Sequence, residues 1–134
     1  MLKFIFFILI ISSLNCKAEK ISSMYDSLIK YEVYEPEISL CIIILETKWL
    51  SCKGCTLDKN NFFAFLWKGK YKEFRDYRHA ILYYKTWQTK WWLPYKKRHP
   101  DKDYYSFLKY IGYAPDMDNY IKQLKLIRKT IKRI

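Results

Sequence analysis

Glycine and proline are scarce in this chain, which has three Gly and four Pro among its 134 residues. Such a composition excludes a collagen-like repeat and a disordered chain rich in Pro and Gly. The sequence also contains no Gly-rich phosphate-binding loop, no internal repeat and no linker-like stretch. Because 51% of the residues are apolar, the chain is able to bury a core, and its length predicts one domain.

Cysteine and histidine are too few for a structural zinc site, which requires four ligands. Cys52 and Cys55 form one C-x-x-C motif, but there is no second pair, and His79 and His99 lie far along the chain. We therefore predict no metal ion and no cofactor. A redox pair is an alternative interpretation of the motif, although such pairs stand at a helix start after a strand, whereas this one falls in a polar loop.

The N-terminus has the pattern of an export signal. Lys3 precedes an unbroken apolar run over residues 4–11, and Ala18 is a small residue suited to a cleavage site, so we predict a signal peptide over residues 1–18. The apolar run is too short to span a bilayer by itself. A lipid attached to Cys16 is the second interpretation, and an uncleaved anchor is the third. We expect an exported protein of the periplasm or cell envelope, or a secreted one.

Export also bears on the cysteines that follow the signal. In an oxidising compartment, a disulfide that closes the loop between Cys52 and Cys55 becomes the favoured interpretation of the motif. Cys41 lies on an apolar helical face and is predicted to be a buried free thiol.

The chain is strongly basic and aromatic. Its formal net charge is +12, which falls by two to +10 when residues 1–18 are removed with Lys3 and Lys17. A basic surface attracts nucleic acid, anionic lipid and acidic wall polymers alike, so charge does not choose among them, and a merely solvated Lys-rich surface fits equally well. The 13 Tyr, 8 Phe and 5 Trp are suited both to packing a small core and to lining a sugar-binding cleft.

Apolar periodicity predicts a mainly α domain with a small β lobe over residues 19–134. Pro36 opens a helix whose apolar residues cover nearly every face, as in a central buried helix. A buried strand over residues 41–45 is the alternative. Pro94 is predicted to end a helix that spans roughly Tyr77–Trp92. The other predicted elements are a helix over 22–32, a loop over 50–61, a hairpin or irregular lobe over 62–74, a helix between Asp103 and Gly112, and a last helix capped by Asp116 or Asp118.

Glu46 is the residue most suited to chemistry. It directly follows an apolar run at the C-terminal end of the Pro36 helix. Partial burial and the negative end of the helix dipole both disfavour the carboxylate and raise its pKa. A carboxylic acid that stays protonated near neutral pH is what glycoside cleavage requires. On position alone, a helix-end Glu that simply reaches water would be the better interpretation.

Five short segments follow one another in an order that changes this judgement. They are residues 45–49 (LETKW), 60–65 (NNFFAF), 74–77 (FRDY), 104–108 (YYSFL) and 111–116 (IGYAPD). Together they resemble the bacterial glucosaminidase family, the glycoside hydrolases that include flagellar and autolysin-type wall hydrolases. The family pattern reads roughly L-E-T-G-W-G, N-N-L-F-G-I/F, F-R/K-x-Y and, near the end, G-Y-A-T-D-P. Five motifs in order at compatible spacing are more specific than any one of them.

The resemblance implies a lysozyme-like α+β fold, with a cleft between a helical body and a small β lobe. It also implies cleavage of peptidoglycan after N-acetylglucosamine, with Glu46 as the general acid and Tyr113 lining the catalytic cleft. Tyr120 matches a Tyr that follows the G-Y-A segment. Asn60 and Asn61 match the N-N pair, whose amides would fix a loop or bind an acetamido group. We expect a monomer that binds glycan strands, no nucleic acid, and a membrane only through a lipid.

The sequence departs from the family at three glycines, which are replaced by Lys48, Leu50 and Ala64. Glycines beside a site often permit a positive φ or close backbone approach. Their loss supports an alternative function, a catalytically impaired wall-binding protein that keeps the fold. A third hypothesis, a basic exported protein that binds nucleic acid or anionic membrane, predicts binding that collapses with salt.

A second carboxylate and the sugar-stacking aromatics are less defined. Glu73 and Asp76 lie in or beside the predicted β lobe, where either is able to face Glu46 or to be a surface charge, and cleavage assisted by the substrate acetamido group needs neither. Trp49 is the predicted cleft aromatic because it lies close to Glu46 in sequence. Core packing is predicted for the helically spaced Trp87 and Trp91.

Overall fold

The computed structural model describes residues 17–133 and is mainly helical with a two-stranded antiparallel sheet, which confirms the predicted mainly α fold with a small β lobe. Cys16 and most of the predicted signal peptide lie outside the described residues, so their predictions stay open. Within residues 17–133, no helix combines the length and apolarity needed to cross a membrane.

The elements follow one another with short connections. The first helix, α1, covers residues 17–30 and so includes the last two residues of the predicted signal peptide. The other elements are α2 (Pro36–Glu46), a 3₁₀ turn (Thr56–Lys59), β1 (Leu66–Trp67), β2 (Lys70–Tyr71), α3 (Tyr77–Arg98), α4 (Tyr104–Ile111) and α5 (Met117–Ile131).

Helix α2 is the central helix of the domain. Pro36 occupies its first turn, and every residue from Ile38 to Ile44 is buried, so residues 41–45 are helical and the alternative of a buried strand is wrong. Its main neighbour is α5, and the two are joined by an ion pair in which Arg128 Nη2 lies 2.6 Å from Glu37 Oε2. A helix that is apolar on all sides must be enclosed by other elements, and this one ends at the half-buried Glu46.

Helix α3 is longer than the sequence predicted. It runs through Pro94 to Arg98, so the prediction that Pro94 ends it is wrong. A proline inside a helix removes one hydrogen bond and costs about 3 kcal/mol. Trp92 and Tyr95, on either side of it, are both buried and pack at ring distances of 5.4 Å on Phe107 of α4. Burying two large aromatic side chains offsets that cost, because each contributes roughly 1.5–3 kcal/mol.

The face of α3 that looks inward also differs from the prediction in one place. Ala80 and Tyr84 are fully buried, whereas Trp91 is 48% exposed and the neighbouring Trp92 takes the buried position. The prediction that Trp91 packs in the core is therefore wrong. The ring centroid of Trp92 lies 4.9 Å from that of Tyr104, so at this end of α3 the buried side chains face α4.

A buried polar cluster ties α3 to the chain that enters α2. Gln88 is fully buried; its Oε1 accepts the backbone N–H of Tyr34 at 2.9 Å, and its Nε2 donates to the carbonyl of Tyr34 at 2.7 Å. The same Nε2 donates to the hydroxyl of Tyr104 at 3.0 Å, and that hydroxyl lies 2.7 Å from the hydroxyl of Tyr84. Since buried polar groups are costly unless hydrogen-bonded, this cluster fixes the relative position of the helices.

The β lobe is a short hairpin that leaves the helical body after residue 65. Leu66 pairs with Tyr71 and Trp67 with Lys70, and Gly69 takes φ 75° in the turn between them. The regular strands are shorter than the predicted range of residues 62–74. The segment before the lobe, predicted as a loop, contains the 3₁₀ turn and the disulfide that joins Cys52 to Cys55.

Candidate active site

A groove of about 560 Å³ runs between α3 and the base of the β lobe. Its wall on the lobe side comes from the chain that leads into β1, and its opposite wall comes from α3 and the end of α4. Aromatic side chains dominate the lining, and Glu46 is the one charged residue in it among residues 17–133. The groove is lined by Glu46, Phe63, Ala64, Phe65, Leu66, Trp87, Trp91, Ile111 and Tyr113.

Glu46 reaches the groove as the last residue of α2. Its side chain is half-buried, and burial raises the pKa of this carboxyl above its ordinary value. The hydroxyl of Tyr120 donates a hydrogen bond of 2.8 Å to Oε1 and opposes the rise in pKa. Within the described chain, only Oε1 accepts a hydrogen bond, which leaves Oε2 without a hydrogen-bond partner among these residues.

Tyr113 lies in the same groove as Glu46, as the resemblance implies. Its hydroxyl donates to the carbonyl of Phe63 at 2.8 Å, and its ring packs against Trp87 at 5.8 Å and Tyr120 at 5.9 Å. Burial raises the pKa of Tyr113 well above its ordinary value, so the hydroxyl remains protonated and able to donate. The hydrogen bond ties the segment after α4 to the chain that leads into the β lobe.

Asn60 and Asn61 do not line the groove; both hold the β lobe to the body. Asn61 is fully buried, donates to the carbonyls of Phe65 at 2.8 Å and Lys72 at 2.9 Å, and accepts the N–H of Phe65 at 2.9 Å. Asn60 donates to the carbonyl of Phe74 at 3.0 Å. Both amide N–H groups and the amide oxygen of Asn61 are used inside the protein, so of the two predicted roles its contacts support loop fixing rather than substrate binding.

Trp49 and Tyr120 also lie outside the lining of the groove. Trp49 is half-buried against the core with φ 61°, which corrects its prediction as the cleft aromatic. Tyr120 is buried beneath the groove and acts on the site through Glu46. The tryptophans that line the groove are the partly buried Trp87 and the exposed Trp91.

The three positions where the family has glycine all adopt left-handed backbone conformations. The φ values are 48° at Lys48, 58° at Leu50 and 56° at Ala64. A residue with a Cβ is disfavoured there by roughly 1–2 kcal/mol. Thr47 helps to hold the first of these turns, since its hydroxyl donates to the carbonyl of Ile43 at 2.6 Å and accepts the N–H of Leu50 at 3.0 Å. The backbone shape that glycine would favour is therefore kept without glycine.

Neither predicted second carboxylate lines the groove. Glu73 is exposed, and Asp76 caps α3 by accepting the backbone N–H of His79 at 2.9 Å. That hydrogen bond is the main reason why the pKa of Asp76 lies below its ordinary value. The chemistry of the groove must therefore be explained with one protein carboxylate among residues 17–133.

Several lining residues were not singled out by the sequence. Phe63, Phe65 and Ile111 lie within or beside the family-like segments, yet their apolar character is equally typical of a core. No local signal separates these roles, because exposure to a groove depends on which elements face each other. Cys41, by contrast, is the buried free thiol that its apolar face predicted, and burial raises its pKa to about 12.

No family model, curated protein or solved structure matches this chain. Function therefore has to be inferred from the groove and from the motifs that line and support it.

Proposed function

We propose that the protein is an exported peptidoglycan hydrolase, an endo-β-N-acetylglucosaminidase in which Glu46 is the general acid. The observation that carries the proposal is the setting of that carboxyl. It lies half-buried in a groove with aromatic walls, and its pKa is raised by burial. A protonated carboxyl beside aromatic surfaces suits cleavage of a glycosidic bond, since sugars stack on aromatic faces and the leaving oxygen requires a proton.

In the proposed reaction, Oε2 of Glu46 gives its proton to the glycosidic oxygen while the bond to the N-acetylglucosamine C1 breaks. Water then adds at C1 with the loss of a proton, which restores the acid. Tyr120 keeps Oε1 occupied and so fixes the orientation of the carboxyl. A rigidly placed acid contributes about 10²–10⁴-fold to such reactions.

The single carboxylate in the groove bears on the mechanism. Inverting and retaining glycosidases use two carboxyl groups on either side of the bond. Neither Glu73 nor Asp76 lines the groove, since Glu73 is exposed and Asp76 caps α3. Attack at C1 by the carbonyl oxygen of the substrate's own acetamido group needs no protein nucleophile, and it is the route that this lining favours.

The test is the release of reducing ends from purified peptidoglycan by the wild type and by Glu46→Gln. We expect turnover to fall by at least ~10²-fold in the variant, the usual scale for loss of a positioned acid. Borohydride reduction of the products should yield N-acetylglucosaminitol, because cleavage after N-acetylglucosamine leaves that sugar at the reducing end. Muramitol instead would show the wrong bond specificity.

Glu73→Gln is the matched control, because it makes the same chemical change at an exposed carboxylate near the lobe. Its turnover should stay within about twofold of the wild type, as is usual for a surface charge. Normal clearing by Glu46→Gln would refute the assignment of the acid, and a large loss in Glu73→Gln would instead identify the missing second carboxylate.

A second candidate function is a wall-binding protein that keeps the groove without cleaving glycan. The absence of a second acidic residue from the groove lining, among residues 17–133, is the observation that favours it. Co-sedimentation with peptidoglycan without any release of reducing ends by the wild type would support this alternative over hydrolysis.

A further inference from the structure

The β hairpin that follows the groove-lining residues Phe65 and Leu66 carries exposed positive charge around an exposed indole. We define Trp67, Lys68, Lys70 and Lys72 as the basic rim. Trp67 is 63% exposed, and Leu66 and Tyr71 of the same hairpin are 64% and 50% exposed. Exposed apolar side chains grouped in this way are typical of an interaction site.

The hairpin begins at the edge of the groove. Phe65 and Leu66 both line the groove although adjacent side chains in a strand point to opposite faces, and Trp67 shares its face with Phe65. Trp67 pairs with Lys70, and the N–H of Lys72 donates to the carbonyl of Phe65 at 2.9 Å, which brings both lysines onto this face.

Two of the rim lysines make cation–π contacts with aromatic rings, and none forms an ion pair with an acidic side chain in the described residues. Lys68 Nζ lies 6.0 Å and Lys72 Nζ 5.9 Å from the Trp67 ring centroid, and Lys72 Nζ is also 5.0 Å from the ring of Tyr83 on α3. None of the ion pairs formed within residues 17–133 includes a lysine of the rim, although the exposed Glu73 follows Lys72 in sequence. The positive charge of the rim lysines is therefore not neutralised by an ion pair within residues 17–133, and it is available to an anionic ligand.

We propose that the basic rim binds free carboxylates on the peptide stems of the glycan strand whose sugar backbone occupies the groove. This inference rests on the proposed function, because it names the substrate class of the same groove. Charge complementarity carries it: anionic groups attached to the glycan would lie beside cationic side chains, whereas a neutral N-acetylglucosamine polymer offers the rim nothing to pair with. Phosphate-bearing polymers of the wall have a similar charge and are the competing source of anions.

Co-sedimentation with insoluble peptidoglycan tests the inference without requiring turnover. Glu46→Gln serves as the parent, so that the glycan is not consumed, and Lys68→Gln/Lys70→Gln is added to it. We expect about fivefold weaker binding, since each exposed charge contributes a small amount. The loss should disappear near 1 M salt, where screening acts over about 3 Å. Lys122→Gln/Lys129→Gln removes the same charge from exposed positions on α5 and should bind like its parent.

Three preparations of wall identify the anion. Peptidoglycan stripped of phosphate polymers by hydrofluoric acid should still distinguish the rim variant from its parent. The same material with its carboxylates converted to carboxamides should bind both proteins equally weakly. A difference seen only with untreated wall would overturn the carboxylate assignment in favour of phosphate, and equal binding of the rim and α5 variants to every preparation would overturn the inference altogether.

The outcome is separable from that of the proposed function. The proposed function fails if the wild type releases no reducing ends from peptidoglycan. The proposal for the rim fails if the charge variants sediment with peptidoglycan as their parent does. A catalytically active protein whose rim variant binds normally would refute the rim alone.

Discussion

The hydroxyl of Tyr120 lies 2.8 Å from Oε1 of Glu46, although 74 residues separate them in the chain. This hydrogen bond joins α5 to the end of α2 beneath the groove. It favours the ionised carboxyl, whereas burial disfavours it, and burial is the larger effect on the pKa. The acidity of Glu46 is thus set by two opposing contributions from tertiary packing.

Removing one contribution should move the pKa of Glu46 in a known direction. In Tyr120→Phe the ionised carboxyl loses its hydrogen-bond donor, so its pKa should rise further. Because a general acid works while protonated, the alkaline limb of the pH–rate profile should move to higher pH. Carbon-13 NMR titration of the Glu46 carboxyl measures the same shift without relying on turnover. Tyr110→Phe, at an exposed hydroxyl, should change neither; a lower pKa in Tyr120→Phe would contradict the account.

Glu46 should also make folding less stable as pH rises. A carboxyl whose pKa is raised on folding binds more protons in the folded state, so the free energy of unfolding falls from the ordinary range of the carboxyl up through its raised folded value. Glu46→Gln removes this dependence and its amide oxygen still accepts from Tyr120. The variant should therefore gain stability relative to the wild type at pH 7 and less at pH 4, as measured by urea denaturation. An equal difference at both pH values would show that burial does not perturb this group.

Ala64 gives a test of the left-handed backbone beside the groove. Its φ of 56° disfavours any side chain, so Ala64→Gly should raise the free energy of unfolding by about 0.5–1 kcal/mol. Ala80→Gly makes the same chemical change inside α3 and should lower stability by about 1–2 kcal/mol, because it also removes a buried methyl group. Opposite signs in thermal or denaturant unfolding support the backbone explanation; a loss in both variants would refute it.

Gln88 gives a test of the buried polar cluster. Gln88→Leu leaves the backbone N–H and carbonyl of Tyr34 without their partners, and it also deprives Tyr104 of one hydrogen bond. We expect a loss of about 2–4 kcal/mol, because each unsatisfied buried group costs roughly 1–3 kcal/mol. Gln123→Leu, at a half-buried position on α5, should change stability by less than about 0.5 kcal/mol. A small effect at Gln88 would mean that water replaces the amide there.

The sequence alone determined the helices, because their signals are local. Apolar spacing, Pro36 at a first turn, and acids at the starts of α4 and α5 act within a few residues, and the side chains of Asp103 and Asp116 do cap these helices. Asp76, predicted only as a possible second carboxylate, caps α3 in the same way. The buried thiol of Cys41 likewise followed from the face on which it lies. Such features depend on the helical period, which the chain carries in itself.

Only the tertiary structure decided which residues form the groove and which support it. For Asn61 the sequence left loop fixing and substrate binding as alternatives, and its contacts are those of loop fixing. Trp91, predicted to pack in the core, is part of the groove wall. Helix α3 continued through Pro94 because aromatic contacts with α4 outweigh a local penalty. The exposure of a side chain, its hydrogen-bond partners and the pKa of Glu46 all depend on contacts between elements that are distant in sequence. Local sequence patterns do not specify those contacts.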